Sequence, residues 1–410
     1  MTSATPPTGT GALAKREARL AWTLLAPTVI SVSLVVILPL LAIFWISFKP
    51  FTLSDLRPPA PVVRESLRGS GNDLRIEYRV RNSSQDIAVV GVTLTDVLPD
   101  GVTAREVTSP CVLDGQNLFC DFGTLEGGQR ERIRISVTID GDSDTFEDLI
   151  EGSEPGVTGS GPSVLTNLEF SLENYARVFD GDEFWGVLWV TLFYTVVGTI
   201  GALVMGLFAA LLLNKSFKGQ GFIRGLYLFP YVAPVIAVAF TWVTLFDPFS
   251  GSANALLVQM GLSSEPINFF GERPLALIMV TVFEIWRYFP LSFLFILARM
   301  QSIDSSMYEA ADMDGASPFQ KFWLLSIPQL LGILSVLFLL RFIWTFNKFD
   351  DIFLLTGGNA GTRTLTVNVY EQAFAISNIG AGAAVAVVIL LCLIAFSFVF
   401  FRFISREEGL

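Results

Sequence analysis

Hydrophobic and polar positions along the chain follow two patterns. In six stretches, Leu20–Phe48, Phe184–Leu213, Gly225–Phe246, Pro274–Leu297, Pro328–Phe346 and Ile379–Phe401, apolar residues run almost unbroken. A bilayer core of ~30 Å needs about 20 apolar helical residues, so each stretch predicts a transmembrane helix. The first carries no charged side chain, exceeds a signal-peptide core in length and ends without a small-residue cleavage site. The second pattern lies between Asp73 and Asp140. There apolar and polar residues alternate, as in Leu74-Arg75-Ile76-Glu77-Tyr78-Arg79-Val80 and Arg132-Ile133-Arg134-Ile135-Ser136-Val137-Thr138-Ile139. Such alternation gives each strand one apolar face, and turn signals at Asn82-Ser83-Ser84, Pro99-Asp100-Gly101 and Glu126-Gly127-Gly128 separate the strands. This predicts a small β-sandwich of the immunoglobulin kind. The Gly/Ser/acid-rich stretch Gly141–Gly161 reads as a linker. After it, Leu172, Tyr175, Val178 and Phe179 share one side, as in a helix lying on a membrane surface.

The expected fold class is a mainly α membrane protein with an all-β insertion. Its parts are a tail over 1–19, a transmembrane helix over 20–49, an insert over 52–168 and a helical core over 169–408. Within the insert the sandwich occupies about 72–140 and an acidic linker 141–162. Orientation follows from Lys and Arg, which collect in short cytoplasmic loops. Lys15, Arg16 and Arg19, then Lys215, Lys218 and Arg224, then Arg299 and Lys321, then Arg402 and Arg406 all fall on one side if the N-terminus is inside. Both termini are then cytoplasmic and the insert is extracytoplasmic.

Composition agrees with lipid as the solvent for most of the chain: 52% of the 410 residues are hydrophobic, 16% are charged and the mean hydropathy is +0.56. The chain has no histidine, which removes His-dependent triads and His-ligated metals. Thr52–Glu183 holds 24 Asp+Glu against 11 Lys+Arg, so the net charge of -11 arises entirely within it. That excess argues against a nucleic-acid partner. Cys111 and Cys120 flank a short loop of the same segment and suit a disulfide, with two reduced thiols as the alternative; Cys392 reads as a small buried hydrophobe.

The most specific motif lies between the fourth and fifth spans, in YEAADMDGASPFQKFWLLSIPQL: Glu309-Ala310-Ala311, then Gly315, then Leu325-Ser326-Ile327-Pro328. Ala310, Ala311 and Ala316 are small enough for close contact with another protein, Gly315 permits a backbone that a side chain would forbid, and Ser317-Pro318 starts a second helix. Glu309, Asp312 and Asp314 offer anionic anchors. The spacing resembles the signature loop of permease subunits of ABC importers, with Leu325 and Ile327 as volume-conserving departures. The resemblance implies that 304–328 is the coupling helix seated in a cleft of an ATPase subunit, carried by Glu309, Ala310, Ala311, Asp314, Gly315 and Pro328. A plain amphipathic loop is the alternative.

The segments LENYARVF, FKGQGFIRGLYLFPYVAPVIAVAFTWVTLF and FNKFDDIFLLTGGNAGTRTLTVNVYEQAF resemble the maltose, trehalose and glycerol-phosphate class of carbohydrate permeases, most closely its maltose-F-type half. At Gly357-Gly358-Asn359 the chain departs from that class, which usually has a third Gly followed by Pro. The insert is also similar to the repeated sandwich of bacterial cell-surface proteins, on VRNSSQDIAVVGVTLTDVLPDGVTAREV and CDFGTLEGGQRERIRISVTI. The implied assembly has a second permease subunit, an ATPase dimer, an external solute-binding protein and membrane lipid. The chain itself binds no cofactor and is no enzyme. It contains no G-x-x-x-x-G-K-[ST] run, so ATP and Mg belong to the ATPase partner.

Polar groups at membrane depth face a cavity or each other. Glu284 and Arg287 lie three apart on one helix face, which favours a mutual ion pair over substrate contact. Trp344, Asn347, Asp350 and Asp351 combine an aromatic face with amide and carboxylate groups, as a sugar site would; an ordinary helix end is the alternative. Asp140, Asp142, Asp144, Asp148 and Glu151 match positions 1, 3, 5, 9 and 12 of a calcium loop, but Thr145 stands where that loop needs Gly, which favours a solvated linker. A different class of function, a membrane-anchored adhesion or sensor protein, draws on the sandwich alone and needs one span rather than six. Within transporters the second choice of cargo is another polar solute, such as a polyol or glycerol phosphate ester.

Overall fold

Small residues decide how the longest helices approach each other. In the computed structural model, which describes residues 12–403 except 70–72, 86, 108, 141–142, 152 and 181–182, a helix over Glu183–Leu213 packs along one over Leu275–Gln301. A Cβ at Gly198, Gly201 or Gly206 would lie 3.0 Å from Glu284, 2.3 Å from Ile285 and 2.7 Å from Ser292. These glycines therefore let the backbones meet closely, the small-residue packing of helices in lipid.

The chain divides into a helical unit (1–44, 175–375 and 381–410) and a sheet-bearing unit (45–174 and 376–380). In chain order the helices are α1 (Ala14–Ser47), α2 (Ser143–Glu151), α3 (Glu173–Phe179), α4 (Glu183–Leu213), α5 (Gln220–Val232), α6 (Val235–Leu245), α7 (Ser252–Gln259), α8 (Leu275–Gln301), α9 (Ser305–Met313), α10 (Pro318–Phe346), α11 (Asp350–Thr356), α12 (Leu365–Tyr370) and α13 (Ile379–Phe403). Among the described residues α1, α4, α8, α10 and α13 are long and apolar enough to cross a membrane.

The span expected over Gly225–Phe246 is not one rod. α5 and α6 meet at a bend of 88° around Ala233-Pro234. Proline has no N–H and its ring clashes with the preceding turn, so the helix breaks there. The fifth span also begins earlier than its apolar run: α10 starts at Pro318, and a π-helical turn over Phe322–Ser326 precedes Pro328, where the i→i−4 ladder loses a donor.

The sheet-bearing unit is larger than the alternating stretch. Two antiparallel four-stranded sheets, ordered β1-β2-β7-β4 and β5-β6-β3-β8, share one core that includes Ile76, Tyr78, Val80, Leu94, Leu118, Ile135 and Val137. The strands are β1 (Pro61–Arg68), β2 (Arg75–Asn82), β3 (Val89–Val97), β4 (Val102–Glu106), β5 (Cys111–Asp114), β6 (Asn117–Leu125), β7 (Arg130–Ile139) and β8 (Gly156–Ser160). β1 and β8 lie outside the expected 72–140, and β8, placed in the linker by sequence, pairs with β3. Cys111 and Cys120 face each other across β5 and β6 and are joined as a disulfide.

The calcium spacing does not survive folding as a loop: α2 begins at Ser143 and winds Asp148 into a helix. Asp142 and the side chains of Asp144 and Glu151 lie outside the described residues, and Asp140 closes β7, its N–H donating to the Gly101 carbonyl at 2.9 Å. No group of three or more His, Cys, Asp or Glu able to hold a metal occurs among the described residues.

Fully buried Lys49 closes the same unit. Its ammonium donates to Asn167 O at 2.6 Å, Asn167 Oδ1 at 2.8 Å and Glu169 O at 2.5 Å, beneath the Phe170 and Trp45 rings. Three acceptors and two aromatic faces compensate a charge that burial would otherwise penalise.

Candidate functional site

α8 carries Glu284, Arg287 and Tyr288 close together, and each finds partners on other elements. Glu284 is fully buried and accepts from Arg341 Nη2 at 2.6 Å, Thr345 Oγ1 at 2.9 Å and Tyr194 Oη at 3.0 Å. The partner of Glu284 is therefore Arg341 of α10, not Arg287. Pairing and hydrogen bonds offset the cost of taking the Glu284 carboxylate out of water, and α10 and α4 supply its three donors.

Arg287 serves the helix break instead. Its Nη1 donates to Pro230 O at 3.2 Å and its Nη2 to Ala233 O at 3.0 Å. Pro230 stands four residues before Pro234, so its carbonyl would have received the N–H that proline lacks. The guanidinium replaces that donor, as buried backbone in a membrane requires. Behind it, fully buried Asp351 lies 4.0 Å from Arg287 Nε and 3.7 Å from Lys348 Nζ, with neither carboxylate oxygen hydrogen-bonded.

A cavity of ≈ 240 Å³ opens beside this network, lined by Tyr231, Glu284, Tyr288, Leu291, Arg341, Trp344, Thr345 and Lys348. The Tyr288 ring carries Lys348 at 4.2 Å and Arg341 at 4.7 Å from its centroid. Of the four residues expected to form a sugar site, the structure brings only Trp344 to this cavity. Asn347 caps its own helix, donating to Ile343 O at 2.9 Å, and half-exposed Asp350 pairs with Lys348 at 3.6 Å. Asp351 is sealed from solvent. Sequence reasoning missed Arg341, Lys348, Tyr231 and Tyr288. The signal for Arg341 was present, since an arginine in the middle of an apolar run is costly without a buried partner.

The loop between α8 and α10 forms a capped helix–turn–helix. Asp304 Oδ1 accepts from the Ser306 N–H at 2.9 Å, and Ser317 and Gln320 cap the next helix reciprocally at 3.3 and 2.8 Å. Gly315 turns between the helices with φ +75°, in the left-handed region, and no atom stands within 4 Å of where a Cβ would be. Asp312 is drawn to Lys321 at 2.5 Å, and Tyr308 and Ser326 share a hydrogen bond at 2.9 Å. Glu309, Ala310, Asp314, Gly315 and Pro328 are exposed and Ala311 half-buried, so the loop offers its signature residues outward.

Residues 202–407 match the family model described as binding-protein-dependent transport system inner membrane component. The chain is 36% identical over 210 residues to the inner membrane ABC transporter permease protein YcjO of Escherichia coli, covering 51% of this chain and 71% of that one. It is 35% identical to the trehalose/maltose transport system permease protein MalF of Thermococcus litoralis, covering 51% and 70%. To the sn-glycerol-3-phosphate transport system permease protein UgpA of Yersinia pestis it is 30% identical, covering 60% and 83%. Among solved structures, a bacterial alginate ABC transporter in complex with an alginate pentasaccharide-bound periplasmic protein matches with a TM-score of 0.54 at 18% identity, over 58% of this chain and 84% of that one. At that identity the match speaks to the fold.

Proposed function

The chain belongs to the family of binding-protein-dependent transport system inner membrane components, and from that premise we propose that it is the permease subunit of an ATP-driven importer for a sugar or oligosaccharide. A second permease subunit, an ATPase dimer carrying ATP and Mg, and an external solute-binding protein complete the assembly. The observation that carries the reading is the exposed, capped loop over 304–328, held between two membrane-crossing helices inside the family match. Glu309, Ala310, Ala311, Asp314 and Gly315 present a small, acidic surface for a cleft in the ATPase, and Pro328 follows the π-helical turn near the start of α10. Both termini lie in the cytoplasm and the two-sheet unit, an immunoglobulin-like insertion, lies outside.

The cargo passes through the cavity beside Arg341 and Lys348. Trp344 and Tyr288 offer ring faces to sugar C–H surfaces, while Lys348 and the Tyr288 hydroxyl supply hydrogen bonds. The two cations also favour a second reading, a polar solute with an anionic group such as a glycerol phosphate ester. Reconstitution tests both. Proteoliposomes with the cognate ATPase, second permease and binding protein should accumulate a saccharide from a labelled panel only when ATP is present. Failure of any ATPase subunit to co-purify with the detergent-solubilised chain would overturn the assignment.

A further inference from the structure

The acidic character of the segment 52–183 hides one strongly basic face. Every one of its 11 cationic residues is arginine, and eight of them stand on the outward side of β1, β2 and β7. The register sets them in rows. Arg64, Arg79 and Arg132 lie side by side across the three strands, Arg81 is opposite Arg130, Arg68 is opposite Arg75, and Arg134 is opposite Glu77. Strand geometry places neighbours in a row about 4.8 Å apart and successive rows about 7 Å apart.

Apart from half-buried Arg75, the arginines of this lattice fall into two populations. Arg79, Arg132 and Arg134 surround the carboxylate of Glu77 at 2.5, 3.6 and 3.3 Å, and still expose 51, 52 and 53% of their side chains. The Arg79 hydrogen bond holds the Glu77 carboxyl below the usual range, so it stays ionised under its three cations. Arg64, Arg68, Arg81 and Arg130 are exposed and engage no acid among the described residues. Among the described residues of β1, β2, β7 and β4, the one other acid on the outward side is Glu106, at the β4 edge.

Nothing in the fold demands such a face. The core requires only that alternate positions be polar, and like charges directly opposite each other across strands weaken a sheet. A mixture of Thr, Lys and Glu would satisfy the same pattern without the repulsion. The choice of arginine throughout is informative, because its planar fork grips carboxylate, sulfate or phosphate groups through two parallel hydrogen bonds.

The composition of the face narrows the occupant. Val62 is its single apolar outward position in these three strands. A surface that enters the lipid interface needs aromatic or aliphatic side chains, and a stable protein interface needs a desolvated aromatic or apolar centre. This face has neither. An open sheet surface also encloses no small molecule, so affinity must come from several charged contacts made at once by one chain. We propose that the arginine face of β1, β2 and β7 binds a linear acidic polysaccharide outside the cell, through its repeated anionic groups. The inference takes from the proposed function only that the insert faces outward.

The test uses the full chain in nanodiscs of zwitterionic lipid, with polygalacturonate as the probe and dextran as the neutral control, read by interferometry across a salt series. Polygalacturonate should bind at low salt and dissociate as salt screens the charges, while dextran should not bind. Replacing Arg64, Arg68, Arg81 and Arg130 by Gln, which leaves the partners of Glu77 in place, should weaken binding about 10- to 100-fold. Phenylglyoxal footprinting of the unaltered chain gives a second measurement, free of any folding effect: polygalacturonate should protect those four arginines. Absence of binding at low salt, an unchanged affinity in the variant or no protection would overturn the proposal. So would stronger retention on phosphatidylglycerol vesicles, which would make the face a membrane-docking surface, or on the solute-binding protein. No transport step enters the assay, so its failure would leave the permease assignment standing.

Discussion

Arg287 shows how much of one residue's role is fixed by what a distant backbone lacks. Its guanidinium ends at two carbonyls, Pro230 and Ala233, that the break before Pro234 leaves without intrahelical donors. Arg287→Met would orphan both and leave Asp351 with Lys348 alone, a loss expected to be about 3–5 kcal/mol. Pro234→Ala supplies an N–H that reaches the Pro230 carbonyl once Ala233, extended here with ψ 141°, turns helical. In that background the Arg287→Met penalty should shrink by about 1 kcal/mol, measured as a double-mutant cycle of unfolding in detergent. Strict additivity would remove the carbonyl-capping role. Spacing alone put Glu284 and Arg287 on one helical face and suggested that they pair. Their partners were not legible, because a charge in a span is claimed by the nearest orphaned group in three dimensions, and Arg341 and the broken helix lie far away in sequence.

A second residue-scale prediction belongs to the sheet-bearing unit. Burial pushes the Glu65 carboxyl up to about 7, with the Asp96 charge adding to the rise and the Ser153 hydroxyl opposing it; Asp96 itself accepts from Tyr78 Oη at 2.5 Å. A carboxyl raised in the folded state binds its proton there while the unfolded chain has already released it. Stability from this group is therefore greatest below its ordinary value near 4.5 and declines as pH rises toward 7. After discounting for partial exposure the decline is about 1–2 kcal/mol. Hydrogen-exchange protection of β1–β3, corrected for intrinsic rates, should fall over that range in the native chain and lose that slope in Glu65→Gln. An identical slope in both would refute it.

At the scale of elements, the turn between α9 and α10 is built by backbone conformation rather than by crowding. Gly315 has φ +75° and open space around its missing Cβ, so a β-branched residue there pays about 1–3 kcal/mol in strain, whereas Asn enters the left-handed region readily. Gly315→Val is expected to insert normally yet lose at least about tenfold in ATP-driven uptake, and Gly315→Asn to keep most of it. Equal loss in both would place the glycine against a partner surface instead. This turn was legible because Gly315 and Ser317-Pro318 each carry a local rule. The bend of α5 on α6 was not, since the apolar run continues through Pro234 and composition counts it as one span. β1 and β8 escaped notice for a related reason. Their burial depends on neighbours contributed by β2 and β3, and β8, Gly156-Val157-Thr158-Gly159-Ser160, reads locally as a linker.

For the molecule as a whole, the insert leaves and rejoins the chain at one place. β1 and β8 run side by side; a Cβ on Gly161 would lie 2.9 Å from Pro59, and one on Gly159 would lie 3.1 Å from Pro61. Adjacent ends are what allow a domain to be inserted without disturbing its host. The Lys49–Asn167–Glu169 closure lies outside the strands, and the hydrophobic clusters of the helical unit draw no residue from them. Removing 61–160 and joining Ala60 to Gly161 through a short Gly/Ser linker should therefore leave membrane insertion and the melting of the helical unit unchanged. The informative comparison is ATPase stimulation by the solute-bound receptor in proteoliposomes of the shortened and full chains. If the insert steers the receptor, stimulation should need several-fold more receptor after the deletion while its maximum is kept, because steering acts on encounter rather than on the coupled step. An unchanged receptor dependence would confine the insert to the role its arginine face suggests, binding an acidic polymer outside the cell for a permease that works without it.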